Sequence, residues 1–212
     1  MTATATAAVA FALVAVLDWS AVYRQSARLE RVAKPLVMVA LGWLALTMGA
    51  ADDQVGRLVL VAVALSLVGD VFLLSKATVA FPGGLVAFLL AHLAYVLAFL
   101  VLGFEPWWAL IGLVVVVVLS LTSGRRIVRA AGHEGGAALG AGVAAYLLVI
   151  SAMVVTASGT ARPLVLLGAL AFLLSDTVLA LDRFAGQRAH ARMVVIVTYH
   201  VGQVLMVIGA LR

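Results

Sequence analysis

Two carboxylates stand where carboxylates are expensive. Residues Leu65 to Ser75 read LSLVGDVFLLS, and Asp70 lies within an apolar run long enough to cross a bilayer. Residues Ala169 to Leu181 read ALAFLLSDTVLAL and hold Asp176 in the same setting. Each follows one pattern, a small residue, Asp, two residues, then Leu: Gly69-Asp70 with Leu73, and Ser175-Asp176 with Leu179. An acidic side chain at the bilayer centre costs about 2.5–3.5 kcal/mol on insertion scales, so such residues usually mark function. The two lie 106 residues apart, half of the 212-residue chain. A carboxylate pair can divide acid and base work, with one carboxyl protonated and the other ionised. The bland alternative is that each Asp pairs with an Arg or caps a neighbouring helix. Against it, no Lys or Arg is expected inside a segment at that depth.

Other polar groups recur at helical spacing. Gly84, Phe88, His92 and Tyr95 form one stripe, His92 being an imidazole that must find a partner in lipid. Tyr199 and Gln203 are at i and i+4 and are expected to line a cavity; His200 lies about 100° away and is undecided. Tyr146 reads equally as an inward hydrogen-bonding group or as interhelical packing. Lys34 could bind an anion near the headgroups, although snorkelling is the plainer reading. Asp18 could reach the interface or pair with Arg24. Gly136 and Gly140 form a GxxxG, a packing signal only.

The elements that must position these groups are membrane helices. The chain is 66% hydrophobic and 11% charged, with mean hydropathy +1.22. A soluble core of that size would need a polar shell that is missing here. Repeated apolar runs of about 20 residues predict transmembrane helices; the alternation of a transmembrane barrel is absent. Eight segments are expected, near Ala3–Tyr23, Pro35–Ala51, Arg57–Leu74, Gly83–Gly103, Trp107–Ser123, Gly136–Ala157, Pro163–Leu181 and Met193–Leu211. The fold class is therefore an all-α polytopic bundle, read as a single transmembrane domain over residues 1–212. The first apolar run lacks a basic leader and reads as a membrane helix, not a cleaved signal. Trp107 and Trp108 suit an interfacial aromatic belt.

Arg24, Arg28, Arg31, Lys34, Lys76, Arg125, Arg126, Arg129, Arg183, Arg188 and Arg192 fall in the odd-numbered connections. Only Arg57, Arg162 and Arg212 fall on the other side. That asymmetry predicts basic connections in the cytoplasm, both termini outside, and residence in the cytoplasmic membrane. It also explains the net charge of +5 without a nucleic acid partner. With four helices per half, two parallel four-helix repeats are one reading; the halves otherwise align poorly, so an unrepeated bundle remains the other. The chain has no cysteine, which excludes disulfides and thiolate chemistry.

Taken together, GDVFLL at 69–74, FPGGLVAFLLAHLAYVLAF at 81–99, FLLSDTVLAL at 172–181 and TYHVGQVLMV at 198–207 resemble the YhhN family of integral membrane proteins. The resemblance runs from about Lys34 to the end. It implies an eight-helix enzyme that hydrolyses the vinyl ether bond of lysoplasmalogens, releasing a fatty aldehyde and a glycerophospho-alcohol. It places the family's catalytic aspartates on Asp70 and Asp176, and its motif positions on His92, Tyr95, Tyr199 and Gln203. Lys34, Phe88 and Tyr146 complete the candidate substrate-contacting set. The partners so implied are a lysophospholipid and membrane lipids, with no cofactor. A proton-coupled transporter using the same aspartates is the main rival. A zinc hydrolase would need about three ligands, and only His92 and His200 of the four histidines lie in the apolar segments. A lipid-binding or structural protein is the remaining alternative.

Overall fold

The structure, a computed structural model, describes residues 2–75 and 80–212. Lys76, one of the basic residues counted above, lies outside the described residues. The described residues are helical throughout, without strands, in the order α1 (Ala3–Tyr23), α2 (Ala27–Thr47), α3 (Gln54–Leu73), α4 (Ala80–Leu102), α5 (Pro106–Leu119), a π-helical turn (Ser120–Gly124), α6 (Arg125–Gly159), α7 (Pro163–Phe184) and α8 (Ala191–Leu211). Six helical stretches are long and apolar enough to span a membrane: α1, α3, α4, the continuous run Pro106–Gly159, α7 and α8. The chain is an integral membrane protein.

The starts of these helices follow local chemistry. Thr2 accepts the amide of Ala5 at 3.2 Å and Asp53 accepts that of Gly56 at 2.7 Å, each satisfying an orphan donor of the first turn. Pro106 and Pro163 open α5 and α7, where a missing N–H costs nothing.

Two expected boundaries differ. Helix 2 does not open at Pro35; α2 begins at Ala27 and carries Pro35 inside it. Ala27, Arg28, Leu29, Glu30 and Arg31 are good helix formers, and a single proline removes only one backbone donor. The basic stretch at Arg125–Arg129 is also helical and not a loop. The π-helical turn carries α5 straight into α6, and the chain turns back at Gly135 and Gly136. Gly136 sits at φ +75°, which glycine adopts without strain. Beyond the turn, a Cβ at Gly140 would lie 3.2 Å from the Gly132 backbone. The GxxxG therefore closes a helical hairpin. Its arms meet through Ile127, Ala131 and Val143, with Leu181 and Phe184 of α7 against them.

The chain divides into two compact units, one running to Leu102 together with Val207–Arg212, the other covering Gly103–Met206. In the first, α1 packs on α2, α2 on α3 and α3 on α4. The buried face of α1 is Ala7, Phe11, Ala15, Asp18 and Val22, at spacings of three and four. Alanines at 87, 91, 94 and 98 line the buried face of α4 and allow close helix approach. In the second unit, α5 packs on α6 and α6 on α7. Gly168 of α7 and Gly202 of α8 cross backbone to backbone. A Cβ on Gly202 would stand 2.8 Å from the Gly168 carbonyl oxygen and 2.9 Å from the Phe172 nitrogen.

Candidate active site

Asp70 occupies the buried face of α3 with Ser66 one turn before it. Its side chain is 1% exposed, and Oδ1 lies 3.1 Å from Nζ of Lys34 on α2. The expectation that no cation reaches this depth is overturned. The reason is the early start of α2, which places Lys34 more than one turn inside a helix packed on α3. Lys34, expected near the headgroups, is an ion-pair partner of Asp70. A carboxylate withdrawn from water is tolerated when paired in this way.

The small residue before Asp70 has a structural task. A Cβ on Gly69 would lie 2.6 Å from the Phe88 ring, so its absence lets Phe88 of α4 press onto α3 beside the carboxylate. Gly84 and Gly83 likewise receive Leu73 and Phe72. These contacts fix an antiparallel register in which Gly69 meets Phe88 and Leu73 meets Gly84. The same register carries Ser66 to the level of Ala91 and His92. His92 and Tyr95 are both fully buried, and Tyr95 stacks on Phe99 with ring centroids 5.7 Å apart. The stripe at 84, 88, 92 and 95 therefore faces inward as the spacing predicts. Asp18, left open from the sequence, is also fully buried.

The second unit builds a different environment for its carboxylate. Asp176 of α7 is half-buried, and its Oδ2 accepts a hydrogen bond from the Tyr146 hydroxyl of α6. Of the two readings of Tyr146, the inward hydrogen bond is the one observed. The small residue before Asp176 is again structural: Ser175 Oγ donates to the carbonyl of Val195 in α8 at 2.9 Å. Phe172 meets Tyr199 edge to face at 5.3 Å, and the ring of His200 lies 5.3 Å from that of Tyr199. Tyr199, His200 and Gln203 are all buried, so the angular argument that set His200 apart does not leave it outside.

Within its own unit, each aspartate is thus held by a side chain from the preceding helix, Lys34 or Tyr146. Each is also flanked by a small residue docked on the following helix. At 1.5 Å per residue, Asp70 lies about 24 Å along α3 from Gln54, and Asp176 about 20 Å along α7 from Pro163. What differs is the charge of the partner. Lys34 brings a cation to Asp70, and Tyr146 brings a neutral phenol to Asp176. Among the described residues no group of three His, Asp or Glu side chains is placed to hold a metal.

The sequence reading missed a groove in the second unit, beside the π-helical turn. It lies between α5, α6 and α7, and Leu147 and Thr177 on its wall are next in sequence to Tyr146 and Asp176. The available signal was the run Ser120, Thr122, Ser123 ahead of Arg125 in an otherwise apolar stretch.

Comparison with known proteins agrees with the sequence motifs. The profile of the YhhN family matches residues 29–210. The chain is 40% identical to the human (Homo sapiens) protein lysoplasmalogenase TMEM86B over 151 residues, which cover 69% of this chain. It spans 60% of that relative's length. No solved structure matches.

Proposed function

The chain belongs to the YhhN family, and on that premise we propose that it is a membrane-embedded lysoplasmalogenase. It hydrolyses the vinyl ether of a lysoplasmenyl phospholipid to a fatty aldehyde and a glycerophospho-alcohol. The similarity to a lysoplasmalogenase supports the substrate class. The observation that carries the chemistry is the unequal partnering of the two intramembrane carboxylates, Lys34 on Asp70 and Tyr146 on Asp176.

A vinyl ether is stable to base and opens in acid. Asp176 donates the proton, which adds to the alkenyl carbon remote from oxygen and leaves an oxocarbenium ion. Oxocarbenium-like states are served by carboxylate pairs in glycoside hydrolysis too. Asp70, held as a carboxylate by Lys34, orients water and takes one of its protons as the oxygen adds. The hemiacetal then loses its glyceryl C–O bond: the glyceryl oxygen takes the proton held by Asp70 and leaves as the alcohol, while the hemiacetal hydroxyl gives its proton to Asp176 as the aldehyde forms, so both carboxyls return to their starting states. One water is consumed. Phe88, His92, Tyr95, Tyr199 and Gln203 are proposed as substrate-contacting residues in this scheme.

We place the chain as one transmembrane domain of eight crossings. The count takes α2 as a span despite its charged start, and divides the run Pro106–Gly159 at Gly135–Gly136. Both termini then lie outside the cytoplasmic membrane and the basic connections inside. That each Asp is met by a side chain of the preceding helix supports a pair of parallel four-helix repeats.

Hydrolysis in D2O tests the chemistry. Purified protein given lysoplasmenylethanolamine yields fatty aldehyde with one deuterium on the carbon next to the carbonyl. Aldehyde without that deuterium, or no aldehyde, overturns the carbon-protonation scheme.

A further inference from the structure

Asp18 is a buried carboxylate that the catalytic scheme leaves unused. It lies on the inward stripe of α1 with Phe11, Ala15 and Val22, and none of its surface is exposed. A carboxylate in such a stripe is costly unless a cation answers it. The helix packed on α1 is α2. Thr4 of α1 donates to the Thr47 carbonyl of α2 at 3.1 Å, which sets the antiparallel register of the pair. Fourteen residues along each helix from that contact, Asp18 stands opposite Ala33, one residue from Lys34. One residue is about 1.5 Å along the axis. Three basic side chains of α2 lie near this level. Arg28 and Arg31 are exposed. Lys34 turns inward, since Val37, Met38 and Leu41, at spacings of three, four and seven from it, are all buried.

Lys34 therefore has a carboxylate on each side, Asp70 of α3 at 3.1 Å and Asp18 of α1 at its own level. One ammonium cannot neutralise two carboxylates, but it has three donors on a flexible four-carbon stem. We propose that Asp18 is the second counterion of Lys34 and receives its ammonium while Asp70 is neutral during turnover. The timing rests on the lysoplasmalogenase reading. In that scheme Asp70 gains a proton as water adds, and gives it to the glyceryl oxygen as the alcohol leaves. Between those steps the Asp70 charge is gone and the ammonium stays buried. Removing one partner of a buried pair is strongly unfavourable. Asp18 lifts that penalty: the ammonium turns from Asp70 to Asp18, and returns when the Asp70 carboxylate is restored. Asp18 touches no reacting atom, so it is a positioning residue. Its effect falls on turnover and not on substrate binding.

The full chain in mixed micelles tests this with two readouts, hydrolysis of lysoplasmenylethanolamine and reversible unfolding. Asp18→Asn keeps the shape and removes the charge. It should lower kcat roughly tenfold or more with KM within about twofold, the mark of an interaction made after substrate binds. Asp18→Glu should recover part of the loss. In a Lys34→Met background, Asp18→Asn should change kcat by less than about twofold, because no ammonium remains to be shared. Stability separates this role from simple packing. In the wild type, Asp18→Asn should leave the unfolding temperature unchanged or raise it, since Lys34 keeps Asp70. In an Asp70→Asn background it should lower that temperature by about 4 °C or more, because Lys34 then loses its second anion as well. Wild-type kcat in Asp18→Asn, or equal falls in unfolding temperature in both backgrounds, overturns the shared ammonium, while hydrolysis by the wild type keeps the enzyme reading. The expected unfolding pattern with no vinyl ether hydrolysis by the wild type supports the shared ammonium and overturns the enzyme reading.

Discussion

Removing Lys34 should do more damage than removing the carboxylate it faces. In Lys34→Met the aliphatic stem is nearly conserved, but Asp70, 1% exposed, loses the Lys34 counterion. Breaking a buried pair from one side typically costs about 3–5 kcal/mol. Asp70→Asn leaves the cation instead. Lys34 is 13% exposed and can swing its ammonium toward the polar boundary, so the expected cost is about 1–2 kcal/mol, that of one charged hydrogen bond. The double variant removes both charges and should cost less than Lys34→Met alone. The assay is a double-mutant cycle by reversible unfolding in mixed micelles, with a coupling of about 2 kcal/mol or more expected. Additivity within about 0.5 kcal/mol would refute the ion pair. The same variants separate two roles in turnover. If Lys34 holds Asp70, Lys34→Met lowers kcat; a rise in KM with kcat unchanged is the signature of a residue that binds substrate uniformly.

Three further outcomes are expected. Tyr146→Phe removes the donor on Asp176 and should lower kcat roughly ten- to a hundredfold, about 1.5–3 kcal/mol, because the phenol's bond becomes one to a charged group as Asp176 gives up its proton; steady-state kinetics on the vinyl ether checks it. Gly69→Ala pushes a methyl to 2.6 Å from the Phe88 ring and should destabilise by about 1–3 kcal/mol. Most of that should return in Gly69→Ala with Phe88→Leu, measured by thermal unfolding in detergent. Gly202→Ala meets backbone at 2.8 Å and 2.9 Å, which has no side chain to yield, so its unfolding temperature should fall further than that of Gly69→Ala.

Apolar length alone revealed most of the spans, because a bilayer leaves a helix few alternatives. It failed at α2, where Arg28, Glu30 and Arg31 read as a connection although their helix propensity carries the first two turns. It failed again at Arg125–Arg129, where a π-helical turn continues the helix that a charge cluster seemed to end. The inward stripe of α4 was legible because Gly84, Phe88, His92 and Tyr95 repeat at helical spacing. The partners of the aspartates were not. Lys34 and Asp70 are 36 residues apart in sequence and Tyr146 and Asp176 are 30 apart; which residues meet depends on how each helix is rotated about its axis, and that is set by contacts such as Phe88 on Gly69. The small residues before each Asp were visible, but their different tasks, a seat for a ring and a hydroxyl bond to α8, appear only in three dimensions.

Mass spectrometry of lysoplasmenylethanolamine incubated with the wild type, Asp70→Asn and Asp176→Asn tests the central claim most directly. Each variant should first be shown to be inserted and helical. The wild type is expected to release fatty aldehyde and glycerophosphoethanolamine, and both variants to lose at least a thousandfold in rate. Aldehyde release at more than a tenth of the wild-type rate by either folded variant would contradict the assignment of the two carboxylates.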